Sequence, residues 1–259
     1  MWRSVGDFSC LFRAQAFQAD LYLLRGDWST ACALWQECRG YFNQVQEPWL
    51  LAEATFFLGY AERRAGNFAA AIPYYEEAIA LLRSLGERWL LSLTLSHLGL
   101  IAFAQGDYGT AYRQIEQRLL MGREFGLKQH IYTALDFLAD IAYQQGHIRQ
   151  AAMLLREALA LQQKSGVDLL FANLIVNLGI MAQACIMDGH YPRAVRLLAA
   201  QHALALLAGD KDIEEPSPLI TQLLQELHTR LDDDGFSTAW ATGAAMTLEQ
   251  ALAELLAED

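Results

Sequence analysis

The sequence has few of the residues that interrupt or cross-link a chain. Its 259 residues include five prolines and four cysteines. The cysteines form no CxxC pair and no dense disulfide framework, which favours a reducing compartment. No basic segment precedes an apolar stretch near residue 1, so we expect no secretion signal and a cytoplasmic location.

Motifs for catalysis and for binding metals or cofactors are also missing. The sequence contains no GxxxxGKS or GxxxxGKT phosphate loop, and its six histidines form neither HxxxH nor HExxH. Cys32 and Cys38 are six positions apart on one predicted helix, which is a poor spacing for metal ligands. We therefore expect a protein that is not an enzyme and that has no cofactor and no metal.

Positive charge is scarce, most of all towards the C-terminus. The formal net charge is −11, from 19 basic and 30 acidic residues, and residues 210–259 hold two basic and twelve acidic ones. Because a polyanion repels phosphate backbones, direct binding to nucleic acid is not expected. The acidic segment is either a solvated end piece or a surface for a basic partner.

One uncharged segment, residues 169–187, is long enough to span a membrane on length alone. Asn173, Asn177 and Gln183 interrupt it, and it falls in register with the repeat described next. We therefore expect a helix that is apolar on several faces within a protein array, and no membrane insertion.

A 40-residue period runs through most of the chain. Gly-x-apolar tripeptides begin at Gly26, Gly66, Gly106 and Gly146, and a fifth begins 43 residues later at Gly189. Each is followed by an alanine and, four positions further on, by a large apolar residue: Ala31 and Trp35, Ala71 and Tyr75, Ala111 and Ile115, Ala151 and Leu155, Ala194 and Leu198. A second turn is marked, with the same period, by Gly6, Gly86, Gly126 and Gly166, with Gln46 in the remaining slot. Series that share one period predict a repeat array.

Each repeat is predicted to be a pair of helices, because its apolar residues are three and four positions apart. The predicted helices lie near 9–25, 28–44, 49–65, 68–84, 88–105, 108–124, 128–145, 148–164, 168–188 and 191–208. Gly66 is expected at positive φ, and Asp27, Asn67 and Asp107 are expected to cap the helices that follow them. The three additional residues of the fifth repeat are either an extra helical turn or a loop insertion.

The pattern resembles the tetratricopeptide repeat. The second repeat carries that family's spacing in Leu58, Gly59, Gly66, Phe68, Ala71, Tyr75 and Ala78. Thr55 and Arg83 stand where the family has tryptophan and proline, and these departures and the 40-residue length resemble its longer-helix subclass. The resemblance implies an all-α, right-handed α-solenoid of about five helical hairpins over residues 1–208, with acidic C-terminal capping helices over residues 209–259.

The repeats and the tail together are similar to the C-terminal region of MalT-like and LuxR-type regulators and of AfsR-like STAND ATPases. The tail residues behind this resemblance are Gly235, Phe236, Ala239, Trp240, Gly243 and the segment from Thr247 to Leu252. It implies a non-catalytic, effector-sensing or protein–protein interaction domain of a bacterial signalling or transcription-regulatory ATPase. Its partners would be a protein, a peptide or a small effector, and an upstream ATPase or DNA-binding module in the parent protein. The alternative is a free-standing scaffold or adaptor that binds a peptide segment.

In tetratricopeptide arrays, the first helix of each pair lines a concave groove. Carried over to this sequence, the partner-binding positions are Glu53, Phe56, Tyr60, Arg63, Arg64, Ser96, Leu100, Phe103, Asp136, Asp140, Tyr143, Asn173 and Gln183. Such a groove would be basic at one end, apolar in the middle and acidic or amide-lined beyond. Asp136 and Asp140, four residues apart, are a binding pair, a catalytic pair or plain solvated residues.

The two ends of the array are expected to differ. At the C-terminal end, Ser217 and the pair Thr247 and Gln250 are predicted caps of helices that pack on the fifth repeat. At the N-terminal end, Trp2, Phe8 and Phe12 are predicted to form an uncovered apolar edge. Such an edge would be a docking surface for an upstream domain or a site of self-association.

Overall fold

The structure, a computed structural model, describes residues 8–165, 171–207 and 218–257, and the side chains of 11–164, 174–207 and 218–257. These residues form thirteen α-helices and no strand. The helices are α1 (Phe8–Arg25), α2 (Trp28–Gln44), α3 (Pro48–Arg64), α4 (Phe68–Leu85), α5 (Trp89–Ala104), α6 (Tyr108–Phe125), α7 (Lys128–Gln144), α8 (Ile148–Ser165), α9 (Phe171–Asp188), α10 (Tyr191–Leu207), α11 (Pro218–Arg230), α12 (Asp233–Ala244) and α13 (Leu248–Leu256).

The chain divides into two compact units, residues 1–130 (the first unit) and residues 131–259 (the second unit). In the first unit, α1 packs on α2, α3 on α4 and α5 on α6, and each pair contacts the next through α2 with α3 and α4 with α5. In the second unit, α7 and α8 share one core cluster and α9 packs on α10. The predicted all-helical repeat of sequential antiparallel pairs is confirmed.

The turns between helices follow the two predicted glycine series. Every described glycine of these series has positive φ, from 66° at Gly126 to 84° at Gly66. Gln46 occupies the glycine slot with a φ of 57°, and it is the non-glycine residue at positive φ among those described. Gly6 and Gly166 lie outside the described residues.

Two of the three named N-caps are confirmed, and one is wrong. The carboxylates of Asp27 and Asp107 accept hydrogen bonds from the backbone N–H groups of Thr30 and Thr110, at 3.1 and 2.9 Å. Asn67 occupies the N-cap position of α4, but its side chain accepts no capping hydrogen bond; its amide nitrogen donates to the carboxylate of Glu62, at 2.9 Å.

The apolar series that repeats every 40 residues forms the core. The five alanines and the five large residues predicted to face inward are all buried: Ala31, Trp35, Ala71, Tyr75, Ala111, Ile115, Ala151, Leu155, Ala194 and Leu198. Burial of these faces is what stabilises helices of this length, since an isolated helix is marginal in water.

The fifth repeat differs from the others by a helical extension. α9 continues without a break from Gly179 to Asp188, whereas α3 ends five residues beyond Gly59, at Arg64. The additional residues are therefore helical, and the alternative of a loop insertion is wrong.

The C-terminal helices pack on the fifth repeat, as predicted. Residues of α9 and α10 share one core cluster with Leu227, Phe236, Ala251 and Leu255 of the tail. The guanidinium of Arg193 donates to the carbonyl oxygens of Glu254 and Ala257, at 2.6 and 2.7 Å. The capping box of Thr247 and Gln250 is confirmed, and Ser217 lies outside the described residues.

The N-terminal edge is not as predicted, because Phe12 is packed. Its ring stacks on Tyr41, with ring centres 4.1 Å apart, and meets the edge of Phe42. The exposed apolar residues of α1 are instead Phe17, Leu21 and Leu24, four and three positions apart on one face of the helix. The side chains of Trp2 and Phe8 lie outside the described residues.

None of the described helices combines the length and the apolar character that crossing a membrane requires. Among the described side chains, no three His, Cys, Asp or Glu residues come together as metal ligands could.

Candidate functional site

Two adjoining cavities lie on the side of the first unit formed by the first helices of its three pairs. One, of about 400 Å³, lies mainly between α1 and α3, and the other, of about 610 Å³, lies between α3 and α5. Both are lined by Trp49 and Glu53, so we treat them as one surface, the α1/α3/α5 groove. Its lining residues are Arg13, Ala16, Phe17, Asp20, Trp35, Phe42, Glu47, Trp49, Leu50, Glu53, Phe56, Phe57, Tyr60, Glu87, Trp89, Leu90, Leu93 and His97.

The walls of the groove include two tryptophans that are open to solvent. Trp49 and Trp89 are the second residue of α3 and the first residue of α5, and their side chains are 45% and 58% exposed. Both line the larger cavity. Large aromatic side chains contribute heavily to interfaces when a partner covers them, so two of them beside one cavity indicate a contact surface.

The floor of the larger cavity is a cluster of rings around His97. The imidazole lies 5.6, 5.3 and 5.7 Å from the ring centres of Phe56, Tyr60 and Tyr75. Burial, and then the positive charges of Arg63 and Arg118, lower the pKa of His97 to about 3. The imidazole is therefore neutral at physiological pH, and the floor is an uncharged aromatic surface.

The smaller cavity holds two carboxylates that repel each other. Burial raises the pKa of Glu53 to about 7; the negative charge of Asp20 adds to that rise and the positive charge of Arg13 opposes it. Burial also raises the pKa of Asp20. The Oδ1 atom of Asp20 is buried and has no hydrogen-bond partner among the described residues.

The acidic residues at the starts of α3 and α5 differ in their local bonds. The carboxylate of Glu87 accepts hydrogen bonds from the backbone N–H groups of Trp89 and Leu90, at 2.9 and 3.3 Å. Glu47, at the equivalent position before α3, makes no such capping bond.

Three of the five partner-binding residues predicted in the second repeat line the groove: Glu53, Phe56 and Tyr60. Phe56 is buried and belongs to the floor. The two arginines are not among the lining residues. Arg63 lies 5.5 Å from the ring centre of Tyr60, which does line the groove, and Arg64 lies 4.9 Å from that of Trp28.

The residues predicted in the third repeat, Ser96, Leu100 and Phe103, are not among those that line the groove. Ser96 is only 2% exposed, and its hydroxyl accepts from the guanidinium of Arg118 at 2.7 Å and donates to the Ser92 carbonyl at 3.0 Å. Leu100 is half-buried, and Phe103 packs near Tyr108. The face of α5 towards the groove is instead the one that carries Leu93 and His97, because Ser96 turns towards α6.

In the second unit, the structure brings two of the predicted residues into contact. The amide of Gln183 donates to the hydroxyl of Tyr143 at 3.1 Å. Burial raises the pKa of Asp136 to about 7, with a further contribution from the charge of Asp140, and burial raises the pKa of Asp140 to about 6. Asn173 lies in α9, but its side chain is outside the described residues. A role of these residues in binding stays a prediction.

The tryptophans and most of the groove acids were missed at the level of sequence, although a signal was present. Glu47 and Trp49 recur 40 positions later as Glu87 and Trp89, within the same period that defines the helices. Arg13, Phe17 and Asp20 likewise stand 40 positions before Glu53, Phe57 and Tyr60. A comparison of equivalent positions across repeats, with attention to exposed aromatic types, would have selected them.

Comparison with known proteins identifies the repeat type. Residues 11–84 match the tetratricopeptide repeat family, so this part of the chain is a tetratricopeptide repeat segment. No curated protein matches the chain in sequence.

Solved structures with the same fold include proteins of several kinds. BtubC from P. vanneervenii is 18% identical, with a TM-score of 0.65 over 81% of this chain and 84% of that chain. A STAND signal transduction ATPase with a tetratricopeptide repeat sensor, from Pyrococcus horikoshii, is 16% identical, with a TM-score of 0.67 over 94% of this chain and 38% of that one. The Rap conjugation gene regulator of the plasmid pLS20, solved in complex with the Phr peptide, is 14% identical, with a TM-score of 0.58 over 98% of this chain and 76% of that one. These structures thus share the helical repeat fold of this chain.

Proposed function

We propose that this chain binds a peptide segment of a partner in the α1/α3/α5 groove, and that it serves as the effector-sensing part of a cytoplasmic signalling or transcription-regulatory ATPase. The observation that carries the binding site is the pair of exposed tryptophans, Trp49 and Trp89, on the wall of one cavity. Binding, and not catalysis, is the role of this chain in the proposal.

A peptide segment suits the groove better than a single compact ligand. The two cavities follow each other along α1, α3 and α5 and differ in chemistry, since the first holds two half-buried carboxylates and the second has an aromatic floor. Alternate side chains of one extended segment can enter two such cavities in turn, because neighbouring side chains of an extended chain point to opposite sides and alternate ones share a side.

Two of the structural relatives support the sensing role. The STAND protein carries its tetratricopeptide repeats as a sensor, and this chain covers 38% of it. The Rap regulator was solved with a peptide bound. The second candidate function is a free-standing scaffold, which is favoured by BtubC, a protein whose own length is matched over 84%.

Selection from a random heptapeptide library displayed on phage, with the whole chain immobilised, tests the binding site. We expect peptides whose affinity falls at least about 10-fold when Trp89 is replaced by alanine, because an interface tryptophan commonly contributes 2 kcal/mol or more. Leu120→Ala is the matched control, since Leu120 is also 58% exposed but lies on α6, away from the groove. If the selected peptides bind Trp89→Ala as tightly as they bind the parent, the groove is not their binding site.

The regulatory context has a separate test. The reading frame upstream of residue 1 either encodes a phosphate-binding loop and further domains or it does not. An in-frame GxxxxGKS or GxxxxGKT sequence is expected for the sensing domain of an ATPase, and a stop codon there would favour the scaffold.

A further inference from the structure

We propose that the segment bound in the α1/α3/α5 groove carries a lysine or arginine whose charged group lies between Asp20 and Glu53 and, two positions along the segment, an apolar side chain that enters the cavity lined by Trp49 and Trp89. This inference rests on the proposed function, and it names the chemistry of the partner at that site.

The charge of the groove is strongly one-sided. Among its lining residues, Asp20, Glu47, Glu53 and Glu87 are acidic, and Arg13 is the one arginine or lysine. The first unit as a whole is nearly balanced, with 12 basic and 13 acidic residues in 1–130. The acidic excess is therefore a property of this surface, and it complements a cationic partner.

The smaller cavity has unused capacity to accept hydrogen bonds. A buried carboxylate oxygen without a partner is costly, and the Oδ1 atom of Asp20 is in that position. An ammonium or guanidinium group of a partner would supply N–H donors to Asp20 and Glu53 together, through charge-assisted hydrogen bonds. An anionic or apolar side chain would leave the Oδ1 atom of Asp20 without a partner.

The electrostatics of Glu53 point the same way. The charges that act on its pKa are those of Asp20 and Arg13 on α1. Glu87, which precedes α5, and the neutral His97 of α5 line the same groove. The raised pKa of Glu53, about 7, reflects burial and repulsion that exposed Arg13 does not offset. A bound cation favours the ionised carboxylate, so a cationic peptide and a proton compete for this site.

The larger cavity determines the chemistry of the second side chain that the partner inserts. Its floor is the ring cluster of Phe56, Tyr60 and His97, and its walls are Trp49 and Trp89. His97 is neutral and Phe56 is buried, so this cavity offers little to a charged group and a large contact area to an apolar side chain.

The experiment compares the heptapeptides selected by three versions of the whole chain. The parent is expected to enrich lysine or arginine two positions from an apolar residue. The double variant Asp20→Asn with Glu53→Gln is expected to select apolar residues without a basic residue two positions away. The matched control, Glu76→Gln with Glu124→Gln, removes the same charge from exposed positions on α4 and α6 and is expected to select as the parent does.

A second measurement uses one selected peptide and its analogue with norleucine in place of the basic residue. For the parent at pH 8, the analogue is expected to bind at least about 10-fold more weakly, and for the double variant less than about 2-fold more weakly. Affinity of the parent for the basic peptide is expected to fall as pH decreases from 8 to 6, because Glu53 then becomes neutral.

The outcomes separate this inference from the proposed function. The selected peptides could depend on Trp89 and yet be acidic or show no charge preference. That result would keep the groove as a binding site and would overturn the inference that the partner is cationic. A basic preference that survives in the double variant would overturn it as well. Failure to select any peptide that depends on Trp89 would overturn both.

Discussion

Gly59 of α3 lies directly against the ring of Tyr75 in α4. A Cβ atom built on Gly59 would be 2.9 Å from Cδ1 of that ring, which is closer than real Cβ contacts. The same arrangement recurs one period later, where a Cβ on Gly99 would be 2.9 Å from Cδ1 of Ile115. The two helices of a pair therefore approach until glycine is the residue that fits, and the 40-residue period repeats this contact.

Replacing Gly59 by valine is expected to destabilise the protein by about 1–3 kcal/mol, because the added atoms overpack the contact with Tyr75. Urea unfolding measures the change. Gly40→Ala is the control: Gly40 is exposed within α2, nothing lies within 4 Å of a Cβ there, and alanine should stabilise it by about 0.5–1 kcal/mol. A Gly59→Val variant as stable as the parent would mean that α3 and α4 separate without cost.

The turns between helices allow a test in which only the backbone changes. Gly66 has a φ of 84° and open space around its Cα, so Gly66→Val is expected to cost about 1 kcal/mol or more through backbone conformation alone. At the equivalent kind of turn, Gln46 has a φ of 57°, and Gln46→Gly is expected to stabilise the protein by up to about 1 kcal/mol. Thermal unfolding of both variants should shift in opposite directions, and shifts of the same sign would contradict the turn assignment.

Removing the acidic tail is expected to cause aggregation. Deletion of residues 210–259 takes away α11–α13 and uncovers apolar residues of α9 and α10 that share a core with them. A milder change in the same place is Gly243→Ala, because a Cβ there would lie 2.7 Å from the Cα of Arg196, which cannot move as a side chain can. Ala241→Ser, at an exposed position of α12, is the control. Sedimentation that shows a monomeric deletion variant would be inconsistent with the covering role of the tail.

The half-buried carboxylates of α7 predict a pH dependence of stability. The pKa of Asp136 rises from 3.8 to about 7 in the folded protein, so the native state holds this proton more tightly than the unfolded state does. The contribution to stability is therefore lost as pH increases from about 4 to about 7. Asp136→Asn is expected to raise the unfolding free energy at pH 8 by about 1 kcal/mol, and to have little effect at pH 4.

Thermal unfolding at both pH values checks this prediction. Glu124→Gln removes the same charge from an exposed position. The difference in stability between pH 4 and pH 8 should be the same for this variant as for the parent. An Asp136→Asn variant that is destabilised at pH 8 would show that the carboxylate has a partner that the native protein needs.

The helices and turns were predictable because they depend on local, repeated rules. A glycine at positive φ and a small residue facing a large one recur every 40 positions, so each repeat supports the interpretation of the others. Asn67 shows where such rules fail, since its side chain makes no capping bond and instead contacts the side chain of Glu62, which the pattern does not consider.

The lining of the α1/α3/α5 groove was less predictable because it depends on how each helix is rotated about its axis. Glu53, Phe56 and Tyr60 line the groove, but the equivalent reasoning for α5 chose Ser96, which faces Arg118. The sequence pattern alone does not determine that rotation. Trp49 and Trp89 lie at the starts of helices, where the apolar period says little about which residues remain exposed.

The position of α12 limits how this array can be lengthened. α12 contacts α10 as extensively as α3 contacts α2, so it occupies the surface on which the first helix of another pair would have to stack. Gly243 brings the two main chains together and leaves no room for such a helix between them. An engineer who wishes to add a repeat to this protein would therefore insert a 40-residue pair among the earlier repeats, and a pair attached after α10 would have to displace α12 first.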